Sequence, residues 1–131
     1  MSVFLFIDKV LEVEKGQSIT AFFHLKGDEE FLLDHFEGFP VMPGVLLLES
    51  LKQAADRLLE ASGDNRPHRL AAVKEVKFGQ FVKPGSRFDM EVRLTAKDGG
   101  RADFTGKAHL NEGGARGARV LQAEFSLVPA N

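Results

Sequence analysis

The sequence predicts an α+β domain in which an antiparallel sheet of about six strands packs on one helix. Three observations carry this: one apolar repeat at helical spacing, several runs with strand character, and short links rich in Gly or Pro between those runs. At 131 residues with 44% hydrophobic content, the chain is long enough for one well-filled core and too short for two ordinary domains. Residues 1–131 are therefore read as a single domain.

Residues 3–13 are rich in Val, Phe, Leu and Ile, and Gly16 supplies a turn before a second strand-like run over 18–25, together a hairpin. Residues 28–44 hold Gly38, Pro40, Pro43 and Gly44, too many breakers for a regular element. From Pro43 the pattern changes. Leu47, Leu51, Ala54, Ala55, Leu58 and Leu59 recur at helical spacing, Pro43 suits the first turn and Gly63 the stop, which predicts one helix of about five turns. Strand-like segments follow over 69–78, 86–96, 102–110 and 119–128. Alternation is clearest where Phe88, Met90, Val92 and Leu94 interleave with Arg87, Asp89, Glu91 and Arg93, the mark of a sheet with one wet face. The links KPGS, KDGG and NEGGARG suit hairpins, so a meander is expected over parallel crossovers. An apolar helix among these strands has to be covered by the sheet, since the two faces are the large apolar surfaces available to each other.

Composition removes several function classes. The net charge is -2 and the cations are scattered, so neither nucleic acid nor an anionic membrane is expected as a partner. There is no Cys, which excludes disulfides, thiolate metal sites and a Cys nucleophile. The 12 Phe, with no Tyr or Trp, give aromatic bulk without a polar handle and exclude tyrosine chemistry. The N-terminal apolar run is short, with Asp8 and Lys9 behind it, and fits neither a signal peptide nor a membrane span. A cytoplasmic location is the expectation.

Two groups capable of proton transfer stand in unusual settings. Glu49 lies within VLLLESL, in the first half of the apolar helix, where a carboxylate is costly to bury unless hydrogen bonded or protonated. His35 lies in the Gly/Pro-rich loop before it. Between them, Met42-Pro43-Gly44-Val45 opens the helix, and the first N–H groups of a helix lack intrahelical acceptors and favour negative charge. Gly44, lacking a Cβ, lets a substrate carbonyl approach its N–H closely. Gln53, one turn after Glu49, is placed to hold its carboxyl group. A base, an acid and an oxyanion donor are what elimination of water next to a thioester needs.

The run HFEGFPVMPGVLLLESLKQ resembles the signature of the β-hydroxyacyl-[acyl-carrier-protein] dehydratases, the FabZ and FabA group. FLFIDKVLEVEKG and KFGQFVKPGSRFDMEV are similar to flanking segments of that family, so the resemblance spans nearly the whole chain, and Glu at position 49 is more similar to the FabZ branch. It implies a hot-dog fold, a sheet wrapped around one central helix, and dehydration of (3R)-3-hydroxyacyl thioesters to trans-2-enoyl thioesters. By position it implies His35 as base, Glu49 as acid, Gly44 and Val45 at the carbonyl site, and Gln53 as the positioner of Glu49. It also implies a substrate carried by acyl carrier protein or coenzyme A, a homodimer that brings His35 and Glu49 together from opposite subunits, and further assembly into hexamers. No metal or organic cofactor is implied.

The sequence departs from that pattern at Asp34, Glu37 and Lys52, and at Gly79-Gln80-Phe81, where the family commonly carries basic residues. Lys52 is within reach of both Glu49 and Asp56; the pairing with Asp56 is expected, because a lysine beside a buried glutamate would itself have to be buried. His24, His68 and His109 are assigned to structure or surface, with no ionisable partner at ligand spacing. The competing readings are a hot-dog hydratase or thioesterase acting on acyl-CoA, and a non-catalytic hot-dog subunit that binds an acyl thioester.

Overall fold

The computed structural model describes residues 5–26 and 42–130. Among them are six strands and one helix: β1 Lys9–Glu14, β2 Ser18–His24, α1 Gly44–Ala61, β3 His68–Phe78, β4 Arg87–Asp98, β5 Arg101–Glu112 and β6 Ala115–Pro129. The strands form one antiparallel sheet in the order β1-β2-β4-β5-β6-β3. The expected meander holds for β4-β5-β6. β3 instead crosses to the far edge and pairs with β6, an arrangement that local pattern does not encode.

Alternation sets the two faces of the sheet. Ile19, Ala21 and Phe23 of β2, Phe88, Met90 and Val92 of β4, and Ala102, Phe104, Gly106 and Ala108 of β5 are buried, while the residues that alternate with them face outward. The helix lays Leu47, Leu51, Ala54, Ala55, Leu58 and Leu59 on this inner face. It packs tightly at Gly106, where an added Cβ would lie 3.0 Å from Leu51 Cδ1 and 3.3 Å from Phe125 Cε1. Two aromatic contacts, Phe6–Phe23 and Phe104–Phe125, with ring centroids 5.6 and 5.4 Å apart, fill the space around it. Ser50, buried on α1, donates its hydroxyl to the Leu47 carbonyl and so brings no unmet polar group into the core.

Both helix ends follow from sequence. Pro43 is the N-cap, with an extended backbone, and α1 begins at Gly44, one residue later than a first-turn proline would place it. At the other end Gly63 has φ +98°; its N–H donates to the Glu60 carbonyl and the Asp64 N–H to that of Leu59. This is a Schellman stop, which needs the left-handed residue that glycine supplies.

The β5–β6 hairpin is tighter than the NEGGARG run suggested. Gly113 and Gly114 both have positive φ, so a two-residue turn suffices, and Glu112 already pairs with Ala115. β1 begins at Lys9, inside the expected run over 3–13, of which residues 3 and 4 lie outside the described residues.

Candidate active site

Glu49 sits half-buried on α1. Gln53, one turn later, donates from Nε2 to Glu49 Oε1 at 3.4 Å and accepts at Oε1 from the Phe6 main-chain N–H at 2.8 Å. The expected contact between Gln53 and the acid is present, and Phe6 is a further member that the motif did not reveal. Lys52 pairs with Asp56, Nζ to Oδ2 2.8 Å, as expected; with side chains 18% and 26% exposed, the pair is half-buried and not fully solvated.

Gly44 and Val45 open the helix, and among the described residues no side chain caps it. The Leu46 and Leu47 N–H groups both reach the Pro43 carbonyl, leaving those of Gly44 and Val45 as the first-turn donors without an intrahelical acceptor. Gly44 lies about 7.5 Å along the axis from Glu49, five residues at 1.5 Å each. Beside this end is a cavity of about 250 Å³ with an almost wholly apolar lining, which includes Met42, Gly44, Leu47, Phe78 and Phe81.

Its walls are fixed by main-chain contacts. The Met42 N–H donates to the Val82 carbonyl, and the Gly79 and Gln80 N–H groups to the carbonyls of Val120 and Arg119. An added Cβ at Gly79 would lie 2.1 Å from the Arg119 carbonyl oxygen, so the segment that replaces the expected basic residues also needs glycine for close passage. The Phe78 ring covers Gly44 closely: a Cβ there would meet Phe78 Cε1 at 2.8 Å. Nothing in the sequence spacing pointed to Phe78 as a neighbour of the helix start, because the contact spans the link from α1 through β3.

His35, the expected base, lies outside the described residues, as do Asp34 and Glu37. The other histidines sit apart from the helix start. The His24 ring contacts the Gly85 carbonyl at 3.3 Å. His109, on the outer face of β5, has its pKa pushed down by burial and then by Arg116, Lys107 and Arg119. His68 corrects an expectation. It is the first residue of β3, buried, with Nε2 3.5 Å from Asp64 Oδ2, so it does have an ionisable partner. Asp64 also receives Arg66 at 2.8 Å and Lys97 at 3.5 Å. The Arg66 side-chain hydrogen bonds hold the Asp64 carboxyl well below the usual carboxylate range, against the upward push of burial, and the Arg66 N–H and the Arg66 and His68 charges add to them. This cluster ties the end of α1 to the start of β3. Among the described residues no group of His, Cys, Asp and Glu is arranged to hold a metal ion, and no helix is long and apolar enough to cross a membrane.

A helix held in the curve of a six-stranded antiparallel sheet, with an acid on its first half and an open N-terminus beside an apolar cavity, defines a hot-dog protein. The fold agrees with the dehydratase heterocomplex ApeI:P from Xenorhabdus doucetiae, at TM-score 0.75 over 97% of this chain and 84% of that one, with 16% identity. It also agrees with a hypothetical thioesterase with coenzyme A from Streptococcus pneumoniae, at TM-score 0.70 over 94% and 85% of the two chains, with 9% identity. Sequence narrows the class. The profile of the ApeI dehydratase family matches residues 11–117. The 3-hydroxyacyl-[acyl-carrier-protein] dehydratase FabZ of Paracidovorax citrulli is 36% identical over 123 residues, covering 90% of this chain and 84% of the relative. That of Myxococcus xanthus is 37% identical over 126 residues, covering 93% and 79%. The chain belongs to the FabZ/ApeI family of hot-dog dehydratases.

Proposed function

We propose that this protein removes water from (3R)-3-hydroxyacyl thioesters, giving trans-2-enoyl thioesters, on acyl carrier protein or coenzyme A. The observation that carries this reading is the arrangement on α1: a carboxyl group held by Gln53, about a turn and a half from the helix start at Gly44, which borders an apolar cavity. In the proposed reaction the thioester carbonyl accepts from the Gly44 N–H, with Val45 beside it, which stabilises negative charge as the α C–H bond breaks. His35 takes the α-proton. The electron pair forms the double bond as the C3–O bond breaks, and Glu49 supplies the proton with which the hydroxyl leaves as water. The half-buried Lys52–Asp56 pair keeps the lysine engaged away from the acid.

The proposed unit is a homodimer in which His35 of one copy meets Glu49 of the other. Its support is β3, an edge strand whose Leu70, Val73 and Phe78 are exposed apolar residues, a surface that pairing with a second copy would cover. Assembly into hexamers is a further proposal.

The test is an assay of purified protein with 3-hydroxybutyryl and 3-hydroxydecanoyl thioesters on both carriers, following enoyl and free-acid products separately. Enoyl formation, reduced by about two or more orders of magnitude in Glu49→Gln, is the expected result. Release of free acid without dehydration would move the protein to the thioesterase reading, and the absence of any turnover to the non-catalytic one.

A further inference from the structure

Phe6 precedes β1, yet its ring is 1% exposed and packs edge-on against Phe23 at 5.6 Å. Two residues on, the Asp8 N–H donates to the Phe22 carbonyl at 2.8 Å. The segment is thereby held at both its side chain and its main chain, which places the Phe6 N–H 2.8 Å from Gln53 Oε1.

Hydrogen-bond polarity then decides the rest. A main-chain N–H can only donate, so the Gln53 atom that faces Phe6 must be the carbonyl oxygen, and the amide is fixed without ambiguity between its two ends. The other end of that amide, Nε2, can also only donate, and it faces Glu49 Oε1 at 3.4 Å. A protonated carboxyl carries its hydrogen on one oxygen and keeps the other as an acceptor. The carbonyl oxygen is the better acceptor of the two, so the donor at Oε1 favours the hydrogen on Oε2.

We propose that Phe6 is a positioning residue of the dehydratase site, its main-chain N–H orienting Gln53 so that the transferable proton of Glu49 resides on Oε2, the oxygen turned away from Gln53. The proposal rests on Glu49 acting as the acid. Its consequence is directional: the proton is presented from one side of the carboxyl group, and the N-terminal segment becomes part of the machinery that holds it there. A Gln53 that merely tied the N-terminal segment to the helix would require only the first of the two contacts.

Two substitutions separate these roles. Gln53→Glu keeps an oxygen for the Phe6 N–H and replaces the donor facing Glu49 by an acceptor. Gln53→Leu removes both contacts at similar volume. Two readouts apply: kcat against KM, and the exchange rate of the Phe6 amide hydrogen. The relay predicts that kcat falls between about ten- and a hundredfold in both variants, with KM little changed, the usual scale for a misplaced reacting group. Phe6 amide exchange should accelerate in Gln53→Leu and stay slow in Gln53→Glu. Phe6→Leu, which retains buried bulk, should restore what Phe6→Ala loses. A Gln53→Glu protein with wild-type kcat would overturn the proposal. If the wild type fails to dehydrate any thioester, the functional reading falls and this proposal with it; a wild type that dehydrates and a Gln53→Glu variant that keeps its kcat overturn the proposal alone.

Discussion

Replacing Gly44 with alanine puts a methyl group between the Phe78 ring and the N–H proposed to receive the thioester carbonyl. The added Cβ would lie 2.8 Å from Phe78 Cε1 and 3.0 Å from Cζ, against an ordinary carbon contact of about 3.5–4.0 Å. The ring must retreat by about 1 Å. Phe78 is 56% exposed, so it has room to swing outward, at roughly 0.5–1.5 kcal/mol for leaving its preferred rotamer. Alanine in place of glycine in a helix returns up to about 1 kcal/mol. The net change in stability is thus within about 1 kcal/mol of zero, and Tm moves by no more than about 5 °C for a domain of this size. Catalysis should respond far more strongly, because the methyl blocks the carbonyl's approach to the N–H; losing one such donor costs about 10²–10³ in kcat. Thermal unfolding and steady-state dehydration of a 3-hydroxyacyl thioester measure the two effects separately. Adding Phe78→Leu to Gly44→Ala should recover stability and leave the rate low. A Gly44→Ala enzyme that folds and turns over at the wild-type rate would refute the assignment of the carbonyl site. Destabilisation beyond about 3 kcal/mol that Phe78→Leu does not relieve would refute the packing argument.

Two further outcomes follow from charged pairs. Asp64 is held below its usual range by Arg66, so its contribution to stability is present at neutral pH and is lost as the pH falls below about 4, the ordinary aspartate value. Asp64→Asn should cost about 2 kcal/mol at neutral pH, the scale of hydrogen bonds to a charged group; denaturant unfolding at a series of pH values should show the gap from wild type closing in acid, and a gap that widens there would contradict the sign. Lys52→Ala should leave the pH profile of kcat/KM unmoved and cost no more than about 1 kcal/mol, because the lysine pairs with Asp56. A displaced profile would show that Lys52 acts on Glu49 after all.

What the sequence made legible is what repeats locally. The helix face of Leu47, Leu51, Ala54, Ala55, Leu58 and Leu59 and the alternation through β4 were readable because periods of 3.6 and 2 are properties of neighbouring residues. The Schellman stop was readable from Gly63, and the Glu49–Gln53 contact from one helical turn of spacing. The rest depends on which distant segments meet. β3 at the far edge, Phe78 over Gly44, and the Phe6 N–H on Gln53 all join residues separated by a long stretch of chain. The Asp64 cluster was missed for a different reason. The strand-like run was expected over 69–78, whereas β3 begins at His68, a position where a preceding proline costs no ladder hydrogen bond.

The central claim, that His35 is the base and Glu49 the acid of one site built from two subunits, is tested most directly by mixing two inactive proteins. His35→Ala and Glu49→Gln homodimers each lack one member of every site. After subunit exchange, about half of the dimers are mixed and each holds one complete site, so about a quarter of wild-type activity should return. Recovery to that level, rising with the extent of exchange, is the result this account predicts; mixed dimers formed in full measure yet as inactive as their parents would contradict it.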